Sequence, residues 1–540
     1  MAPMTDARER SHWAWGWEDR LPDHAARELL AAQVGALLDR PLSVSPYPSL
    51  ASARVSPPRV AVPDALADFT TDHREARVRH AYGRAWRDLW RGFEGDFSAA
   101  PDLVATPADE ADVARALAWC SAHRVAAVPY GGGTSVVGGV ECADPRYAGT
   151  LSLDLRRLDA LVDLDLTSRV ACIEAGATGP RVEALLAPHG LTLRHYPQSF
   201  EFSTLGGWVA TRAGGHYATL LTHIDDLTHA VRMVTPAGVL ETPRVPASGA
   251  GPDPNRLVLG SEGALGVITR AWVRVRPAPR WRYSASVRFA RFEDAVSAAR
   301  AVAQSGLHPA NCRVLDARET MLNGVGSGGD AVLLLGFESA DHAPDAAIER
   351  AVAIALAEGG RCDDGIARRH EDDGARAAAS QRWRDAFVGA PYLQSGLVSV
   401  GVMADTFETC VPWSRFAALH EDVLASVGGA LHAACGAGVV TCRFTHVYPD
   451  GPAPYYTFLA PFDPARALDQ WAAVKRAAGD ALARHGATIT HHHAVGRTHR
   501  LWYDAELPAL YTRALAATKR ALDPADVMNP GVLVDPVSGA

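Results

Sequence analysis

The chain has 540 residues, 48% apolar and 21% charged, which is the composition of a globular protein and excludes disordered and fibrous classes. A single hydrophobic core stops growing at about 250–300 residues, so the length predicts roughly two to four domains. The net charge of −8 provides no basic field for nucleic acid. No apolar run reaches the roughly 18 residues of a membrane span, and the charged N-terminal residues predict a cytoplasmic rather than a secreted protein.

The first 96 residues are predicted to form an N-terminal arm. Three tryptophans alternate at Trp13, Trp15 and Trp17, which is typical of an edge strand or of a clamp on another domain. A stretch with five prolines at 43–63 predicts an extended connector. Eight cysteines lie far apart with no C-x-x-C pair, so we expect reduced thiols and no metal site.

A regular helix-and-strand pattern begins near residue 97. Thr106 before Pro107 predicts the N-cap of a helix that ends near His123. An apolar strand at 125–128 leads into a glycine loop. Beyond it the pattern predicts a strand pair at 150–155 and 169–174, a helix at 180–189 and a strand at 267–275.

Three glycine-rich loops follow one another between residues 129 and 266. In the first, GGGTS at 131–135, exposed amides and two hydroxyls can form an anion nest, although the same string also fits a plain turn. Its spacing fits neither an NTPase P-loop nor a Rossmann G-x-G-x-x-G turn. The second loop, 197–207, and the third, 260–266, also mix hydroxyls with glycines. Three such loops suit a long, multi-phosphate cofactor.

A histidine triplet, His491-His492-His493, follows the strand-like stretch 487–490. On an extended strand His491 and His493 would share one face while His492 points away. Two neighbouring histidines could accept and return a proton near neutral pH, and metal ligation or a plain surface location is the alternative.

These motifs resemble a known family. The strings PYGGGTSVVGGV (129–140), PQSFEFSTLGGWVATRAGG (197–215) and GPDPNRLVLGSEGALGVIT (251–269) are similar to the FAD-binding domain of the vanillyl-alcohol oxidase/PCMH flavoprotein superfamily. Within it, the chain resembles alkyldihydroxyacetonephosphate synthases and their bacterial relatives over nearly its whole length. The resemblance implies a non-covalently bound FAD, because Thr134 stands where members that tether their flavin often carry a histidine.

The resemblance also implies which residues hold FAD. The pyrophosphate would lie on the first loop, the flavin and its ribityl chain on the second, and the adenine end nearer the third. The implied cofactor residues are Pro129, Tyr130, Gly131, Gly132, Gly133, Thr134, Ser135, Pro197, Ser203, Thr204, Gly207, Thr211, Arg212, Ala213, Glu262, Gly263, Leu265, Gly266 and Val267.

By the same resemblance the catalytic residues are Arg313, Tyr455, His491, His492 and His493. Tyr456 would replace Tyr455 if the register slipped by one. A tyrosine that only finds a buried hydrogen-bond partner is the structural alternative.

One departure concerns the substrate phosphate, which relatives bind with an arginine before their F-E-T motif. The corresponding residue here is Gln394, and a neutral amide cannot replace a guanidinium on phosphate. Arg384 could take over that role only through an insertion. Only two of the 53 basic residues are lysines, so arginine is the available cation.

Three functions follow from these patterns. The first is an FAD-dependent oxidoreductase that acts at flavin N5 on a small, non-phosphorylated alcohol or hydroxy acid, and Gln394 favours it. The second is the family's own redox-neutral exchange of an acyl for an alkyl group on a dihydroxyacetone phosphate ester, in which the resemblance implies flavin N5 as nucleophile. The third is a flavin-binding protein without catalysis.

The predicted fold class is α+β, with four segments. The arm covers 1–96, a two-lobed PCMH-type FAD-binding domain 97–279, a cap domain with a large antiparallel sheet 280–495, and a segment returning to the FAD domain 496–540. Expected partners are a small-molecule substrate and neither nucleic acid nor membrane; a homodimer is compatible with the sequence, which does not define the oligomeric state.

Overall fold

The computed structural model describes residues 8–141, 143–325, 329–371 and 378–534, without the side chains of 378–380, 384, 385, 387 and 388. Within them, strands form sheets of four, five and seven strands and a two-stranded ribbon. The predicted α+β class, with a two-lobed FAD-binding part and a cap, is confirmed; the exact domain boundaries stay a prediction.

The N-terminal arm and the first lobe share a four-stranded sheet, although two helices of the arm, at 24–37 and 86–93, pack against the cap. Their elements are α1 (His24–Leu37), β1 (Thr70–Thr71), α2 (Arg74–Arg79), α3 (Trp86–Phe93), β2 (Leu103–Ala105), α4 (Glu110–His123), β3 (Val125–Tyr130) and β4 (Gly149–Asp154). The strand order is β1-β2-β4-β3, with β2, β4 and β3 parallel and β1 antiparallel. Helix α4 packs its buried face, which includes Val113 and Cys120, against this sheet.

The expected threonine cap of α4 is wrong. Asp109 is the N-cap, and its carboxylate accepts a hydrogen bond from the Asp112 amide at 2.9 Å. Thr106 lies four residues before the first helical residue, Glu110, and both its amide and its hydroxyl donate to the Phe69 carbonyl, at 2.8 and 3.4 Å, which extends the sheet one residue past β2.

The second lobe is built on an antiparallel five-stranded sheet. Its elements are β5 (Leu161–Asp165), β6 (Val170–Glu174), α5 (Gly179–Leu186), β7 (Leu191–Thr192), α6 (Leu205–Thr211), α7 (Ile224–Leu227), β8 (Thr228–Thr235), β9 (Gly238–Glu241), α8 (Asn255–Val258), β10 (Val267–Arg274) and β11 (Arg276–Pro277). The sheet order is β5-β6-β10-β8-β9, and β7 pairs with β11. The predicted pairing of 150–155 with 169–174 is wrong, because β4 belongs to the first lobe's core and β6 to the second.

The cap is a seven-stranded antiparallel sheet covered by helices. Its elements are β12 (Trp281–Phe289), α9 (Phe292–Gln304), β13 (Asn311–Leu315), α10 (Ala317–Leu322), β14 (Ala331–Ser339), α11 (Asp345–Ala357), β15 (Ile366–His370), α12 (Ala378–Ser399), β16 (Val402–Glu408), α13 (Trp413–Cys435), β17 (Val439–Val447), β18 (Pro452–Pro461) and α14 (Ala467–Arg484). The strand order is β15-β12-β14-β13-β17-β18-β16.

Successive side chains of the cap strands point alternately to the hydrophobic core and to the cavity. On β17 and β18 the side chains of Cys442, Phe444, Tyr456 and Phe458 join the hydrophobic core. The residues between them therefore face the opposite side of the sheet, toward the FAD-binding lobes.

The C-terminal part consists of α15 (Arg500–Glu506), α16 (Ala509–Leu522) and a tail that reaches the first lobe. Ala127 of β3 donates to the Val527 carbonyl at 2.8 Å and accepts from the Asn529 amide at 2.9 Å. Among the described residues, no helix combines the length and apolar character needed to cross a bilayer.

Candidate active site

One cavity of about 950 Å³ lies between the FAD-binding lobes and the cap. Its wall has three parts. The glycine loops form the first, polar side chains of the cap sheet form the second, and apolar side chains of α1, α10 and α12 form the third.

The first and second glycine loops pack backbone against backbone. A Cβ atom on Gly131 would lie 2.3 Å from the Thr204 hydroxyl oxygen, and one on Gly132 would lie 2.0 Å from the Phe202 carbonyl oxygen. No other residue type fits there, so this part of the wall consists of backbone groups and short hydroxyl side chains. Such neutral donors fit the pyrophosphate of a dinucleotide.

Most of the predicted cofactor residues share this cavity. Those that line it are Pro129, Tyr130, Gly131, Gly132, Gly133, Thr134, Ser135, Pro197, Ser203, Thr204, Gly207, Thr211, Ala213, Glu262, Gly263 and Gly266. The side chains of three others lie elsewhere. Arg212 is exposed and pairs with Asp225 at 2.8 Å, and Leu265 and Val267 are buried in hydrophobic cores.

Glu262 lines the cavity, and its carboxylate also makes a structural contact; its predicted place near the adenine end stays a prediction. Its carboxylate oxygens accept hydrogen bonds from the amides of Val495 and Gly496, each at 2.8 Å. Burial raises the pKa of this carboxyl to about 7. Glu262 therefore fastens the third loop to the segment just after the histidine triplet.

Tyr455 rather than Tyr456 faces the cavity. The Tyr455 hydroxyl donates to the Thr406 hydroxyl at 3.0 Å, and its ring stacks on His492 with centroids 5.9 Å apart. Burial raises the pKa of Tyr455. Tyr456 is fully buried on the other face, where it stacks on Phe407.

Two buried arginines line the middle of the cavity. Arg313 on β13 donates to the His216 carbonyl at 3.2 Å, and burial, with the nearby charge of Arg443, lowers the pKa of Arg313 to about 10. Arg443 on β17 pairs with Glu319 at 2.5 Å and lies 3.9 Å from the Tyr455 ring centroid. Two largely buried guanidinium groups line this part of the cavity, which makes it suited to an anion.

The histidine triplet is held by one carboxylate rather than by a strand. Glu408, at the end of β16, accepts hydrogen bonds from the amides of His491, His492 and His493 at 2.7, 3.1 and 3.0 Å. It also accepts from the Thr490 hydroxyl at 2.6 Å. A strand cannot direct three successive amides to one acceptor, so the prediction that His491 and His493 share one face while His492 points away is wrong. Residues 487–490 before the triplet form no strand either. As a result His492 and His493 line the cavity, and His491 lies behind them.

Burial governs the charge of this cluster. It lowers the pKa of all three histidines, so their rings are neutral near neutral pH. Burial alone would raise the pKa of Glu408, but the positive charge that the neighbouring histidines acquire at low pH, together with the Thr490 hydroxyl, outweighs burial and lowers this pKa. The site therefore holds neutral bases beside a fixed negative charge.

Ring nitrogens of His446, His491 and His492 lie within 4.8 Å of one another, which is close enough to hold a metal ion. Both nitrogens of His446 are nevertheless engaged, Nε2 with the Gly215 carbonyl and Nδ1 with the Thr445 hydroxyl, each at 3.1 Å. We interpret the group as a hydrogen-bonded histidine cluster, and the expectation of no metal stays a prediction.

The third part of the cavity is an apolar arm. Its wall includes Leu30, Val34 and Leu37 from α1, Met321 and Leu322 from α10, Leu393 and Leu397 from α12, and Leu459 from β18. Helix α1 belongs to the N-terminal segment 1–96, and this segment therefore supplies part of the cavity wall.

Gln394 lies in the cavity wall with both ends of its amide engaged. Its oxygen accepts from Trp15 Nε1 at 3.0 Å, and its nitrogen donates to the Ala404 carbonyl at 2.8 Å. It joins the tryptophan segment to the cap. The side chain of Arg384, the alternative cation, lies outside the described residues.

Several wall residues escaped the sequence analysis. Arg443 and Thr445 are alternate residues of β17 whose side chains face the cavity. Which of the two alternating sets faces the cavity can be predicted only once the core-facing side of the strand is known. A bulge between Phe444 and His446 shifts that parity, so His446 faces the cavity as well. No sequence signal marked the apolar face of α1 as a cavity wall.

Three glycine loops and an antiparallel cap around one cavity define an FAD-binding enzyme fold. Residues 101–242 match the family described as "FAD binding domain", and residues 278–533 match "FAD linked oxidases, C-terminal domain". The chain therefore combines an FAD-binding domain with a C-terminal domain of the kind found in FAD-linked oxidases, and its cofactor is FAD.

The chain is also similar to individual proteins of this group. It is 29% identical to the alkyldihydroxyacetonephosphate synthase of Trypanosoma brucei brucei over 98% of this chain and 93% of that protein. A solved alkyldihydroxyacetonephosphate synthase structure superposes with a TM-score of 0.81 at 25% identity, covering 96% of this chain and 98% of the other. p-Cresol methylhydroxylase with bound substrate shares the fold, with a TM-score of 0.66 at 16% identity over 87% of this chain and 94% of the other.

Proposed function

We propose that this protein is an FAD-dependent enzyme that exchanges the acyl chain of an acylated dihydroxyacetone phosphate for an alkyl chain, without net oxidation. This was the alternative in the sequence analysis, and the synthases among its relatives support it better than the oxidation of a small, non-phosphorylated substrate. FAD, once bound without a covalent tether, supplies the electron and covalent chemistry that amino-acid side chains lack.

The observation that carries this proposal is the lining of the cavity. Its wall combines the glycine loops, two arginines of the cap sheet and a set of leucine, valine and methionine side chains. A substrate with a phosphate head and a long hydrocarbon chain matches that combination of polar and apolar groups. A small hydroxy acid would leave the apolar arm unused.

Arg313 and Arg443 are the proposed phosphate ligands. Both line the cavity and both are largely buried, so their charge is weakly screened. This assignment answers the objection raised by Gln394, because the cation missing there is supplied from β13 and β17. Glu319 orients Arg443 through their ion pair.

Proton handling falls to Tyr455 and His492, whose rings stack on one another at the cavity wall. His492 is a neutral base near neutral pH, and the Tyr455 hydroxyl can give or take a proton beside it. Glu408 fixes the backbone of the triplet, so these rings keep their positions during the reaction.

The test is the formation of an ether product. Purified holoenzyme is given palmitoyl-dihydroxyacetone phosphate and hexadecanol, and mass spectrometry follows the alkyl ether while an oxygen electrode follows oxidation. We expect the alkyl product and free palmitate without consumption of oxygen. Absence of the ether product with fully loaded FAD would contradict the proposal.

Two substitutions on the same helix test the apolar arm. Val34→Trp inserts a large ring at the cavity wall, whereas Leu29→Trp lies on the exposed side of α1, where Leu29 is 60% exposed. We expect the first variant to lose hexadecanol but keep a shorter alcohol such as octanol, and the second to behave as the unsubstituted enzyme. Equal loss of all alcohols would indicate a folding defect instead.

Oxidation of a small hydroxy acid remains the second candidate, and the neutral Gln394 favours it. It predicts that an anaerobic sample bleaches its flavin absorption on addition of D-lactate or glycolate. Bleaching together with no ether product would replace the first proposal with this one.

A further inference from the structure

We propose that His491, Tyr448, Thr222 and His223 form a proton relay that connects His492 at the cavity wall with solvent. The inference rests on the proposed function in one respect, the use of His492 as a base. It otherwise rests on a series of hydrogen bonds that connect the cavity wall with the partly exposed His223.

The links are short and continuous. Nδ1 of His492 lies 3.0 Å from Nδ1 of His491, and Nε2 of His491 lies 2.7 Å from the Tyr448 hydroxyl. The Tyr448 hydroxyl donates to the Thr222 hydroxyl at 3.0 Å, and that oxygen lies 3.4 Å from Nδ1 of His223. Thr222 is buried, while Tyr448 and His223 are partly exposed.

One contact fixes the direction of every link. Nε2 of His223 lies 2.8 Å from the His491 carbonyl oxygen, which can only accept, so Nε2 carries the proton and Nδ1 is the acceptor for Thr222. Thr222 therefore accepts from Tyr448, and Tyr448 accepts from Nε2–H of His491. With neutral rings, Nδ1 of His491 then accepts from Nδ1–H of His492. This leaves Nε2 of His492 as an unprotonated base.

Proton transfer through this chain is balanced. When Nε2 of His492 gains a proton from the substrate, its Nδ1–H bond breaks and an Nδ1–H bond forms on His491. The same exchange of one broken and one formed bond repeats at Tyr448 and Thr222 and protonates Nδ1 of His223. The His223 imidazolium then breaks its Nε2–H bond and gives that proton to water, so one proton crosses and no electron moves. Proton exchange with water afterwards returns the rings to their starting tautomers.

Neighbouring groups hold the inner end of the relay in place. The Glu408 carboxylate lies 3.5 Å from Nδ1 of His492 and binds the backbone amides of the triplet, so it stabilises a transient imidazolium. The His446 ring lies 4.9 Å from that of His491, and its bond to the Gly215 carbonyl keeps it there.

A first test needs no turnover. Nitrogen-15 NMR of holoenzyme labelled at histidine, with resonances assigned by single histidine substitutions, reports which ring nitrogen carries the proton. We expect protonated Nε2 on His223 and His491 and protonated Nδ1 on His492. Any other tautomer among these three would overturn the relay.

The second test measures the relay at work. Tyr448→Phe removes the central link and should lower kcat at least tenfold with KM unchanged, and added imidazole buffer should restore most of the lost rate. Tyr456→Phe, a buried tyrosine of the same sheet outside the cavity, should keep the original kcat.

The outcomes separate the two proposals. Unchanged kcat in Tyr448→Phe, or a loss that imidazole does not restore, would overturn the relay. If the unsubstituted enzyme makes no ether product, the proposed function fails, and the NMR tautomers still decide the hydrogen-bond chain.

Discussion

Glu408 organises the candidate site at the scale of a single residue. Its carboxylate is 1% exposed and accepts hydrogen bonds from three consecutive amides and one hydroxyl. A buried carboxylate of this kind is stable only because its donors replace water. The position of the histidine rings is therefore set from the end of β16, about eighty residues earlier in the chain.

Glu408→Gln should lower the free energy of unfolding by about 2–4 kcal/mol at pH 7, because an amide offers one acceptor oxygen where the carboxylate offers two. The pKa of Glu408 is lowered in the folded protein, so its stabilisation is complete above the ordinary carboxyl pKa of about 4.3 and is lost as pH falls toward the folded value. The difference between the two proteins should shrink between about pH 5 and pH 3. Urea unfolding followed by tryptophan fluorescence measures it.

Glu421→Gln is the matched control, because Glu421 is exposed on α13. It should change the free energy of unfolding by less than about 0.5 kcal/mol at any pH. A difference between Glu408→Gln and the unsubstituted protein that stays constant from pH 7 to pH 3 would contradict a lowered pKa.

Individual residues could be predicted where the motif was local. The glycines of the first loop were readable because their neighbours in sequence are also their neighbours at the cavity wall. The place of Arg443 in the cavity wall could not be predicted from the sequence. Only the pairing of β17 with β18 and the position of the core show which alternate residues of β17 face the cavity. The choice between Tyr455 and Tyr456 depended on the same information.

At the scale of elements, sequence patterns located most strands and helices but not their environments. The segment before the triplet looked like a strand because most of its residues are β-branched. The triplet itself is not extended, because its three amides all donate to the Glu408 carboxylate. Helix α1 was invisible as a cavity wall because its apolar residues could equally have met a core. In both cases residues far away in the sequence determine the environment of the segment.

Gln394 on α12 links elements that are far apart in the chain, and Gln394→Arg tests how much this link contributes to the free energy of unfolding. The new guanidinium can still donate to the Ala404 carbonyl but cannot accept from Trp15 Nε1, so we expect a loss of about 1–3 kcal/mol in stability. A further cation in the cavity should tighten dihydroxyacetone phosphate at least tenfold and leave dihydroxyacetone unchanged. Isothermal titration calorimetry on the holoenzyme measures both ligands.

Gln394→Met separates charge from the broken link, because it removes both hydrogen bonds and adds no charge. It should lose stability as well, without tighter phosphate binding. If the arginine and methionine variants bind dihydroxyacetone phosphate equally, position 394 does not face the phosphate.

For the whole molecule, the FAD-binding lobes could be predicted from their loops, whereas the closure of the cavity could not. The third loop, the triplet segment and the C-terminal tail meet through contacts between residues more than two hundred positions apart, such as Glu262 with Val495. Pairing over that distance leaves no periodic pattern in the sequence. It nevertheless holds the cap against the cofactor side of the cavity.

Asn529 joins the tail to two of these parts at once. Its side-chain amide donates to the Gly139 carbonyl at 2.9 Å and to the Glu262 carbonyl at 2.8 Å, and the residue is 1% exposed. Gly139 follows the first glycine loop and Glu262 lies in the third. The tail therefore sets the separation of two loops that line the FAD cavity.

Asn529→Ala should reduce FAD affinity at least tenfold and lower the free energy of unfolding by about 2–4 kcal/mol, since two buried carbonyls lose their donor. Asn255→Ala is the control, because it loses bonds to Thr242 and the His229 carbonyl away from the cavity. Heating each holoenzyme while flavin and tryptophan fluorescence are followed separates cofactor release from unfolding. In Asn529→Ala the flavin should leave at a temperature below the unfolding transition, whereas in Asn255→Ala the two should coincide. Coincident transitions in both variants would mean that the tail stabilises the fold without holding the cofactor loops.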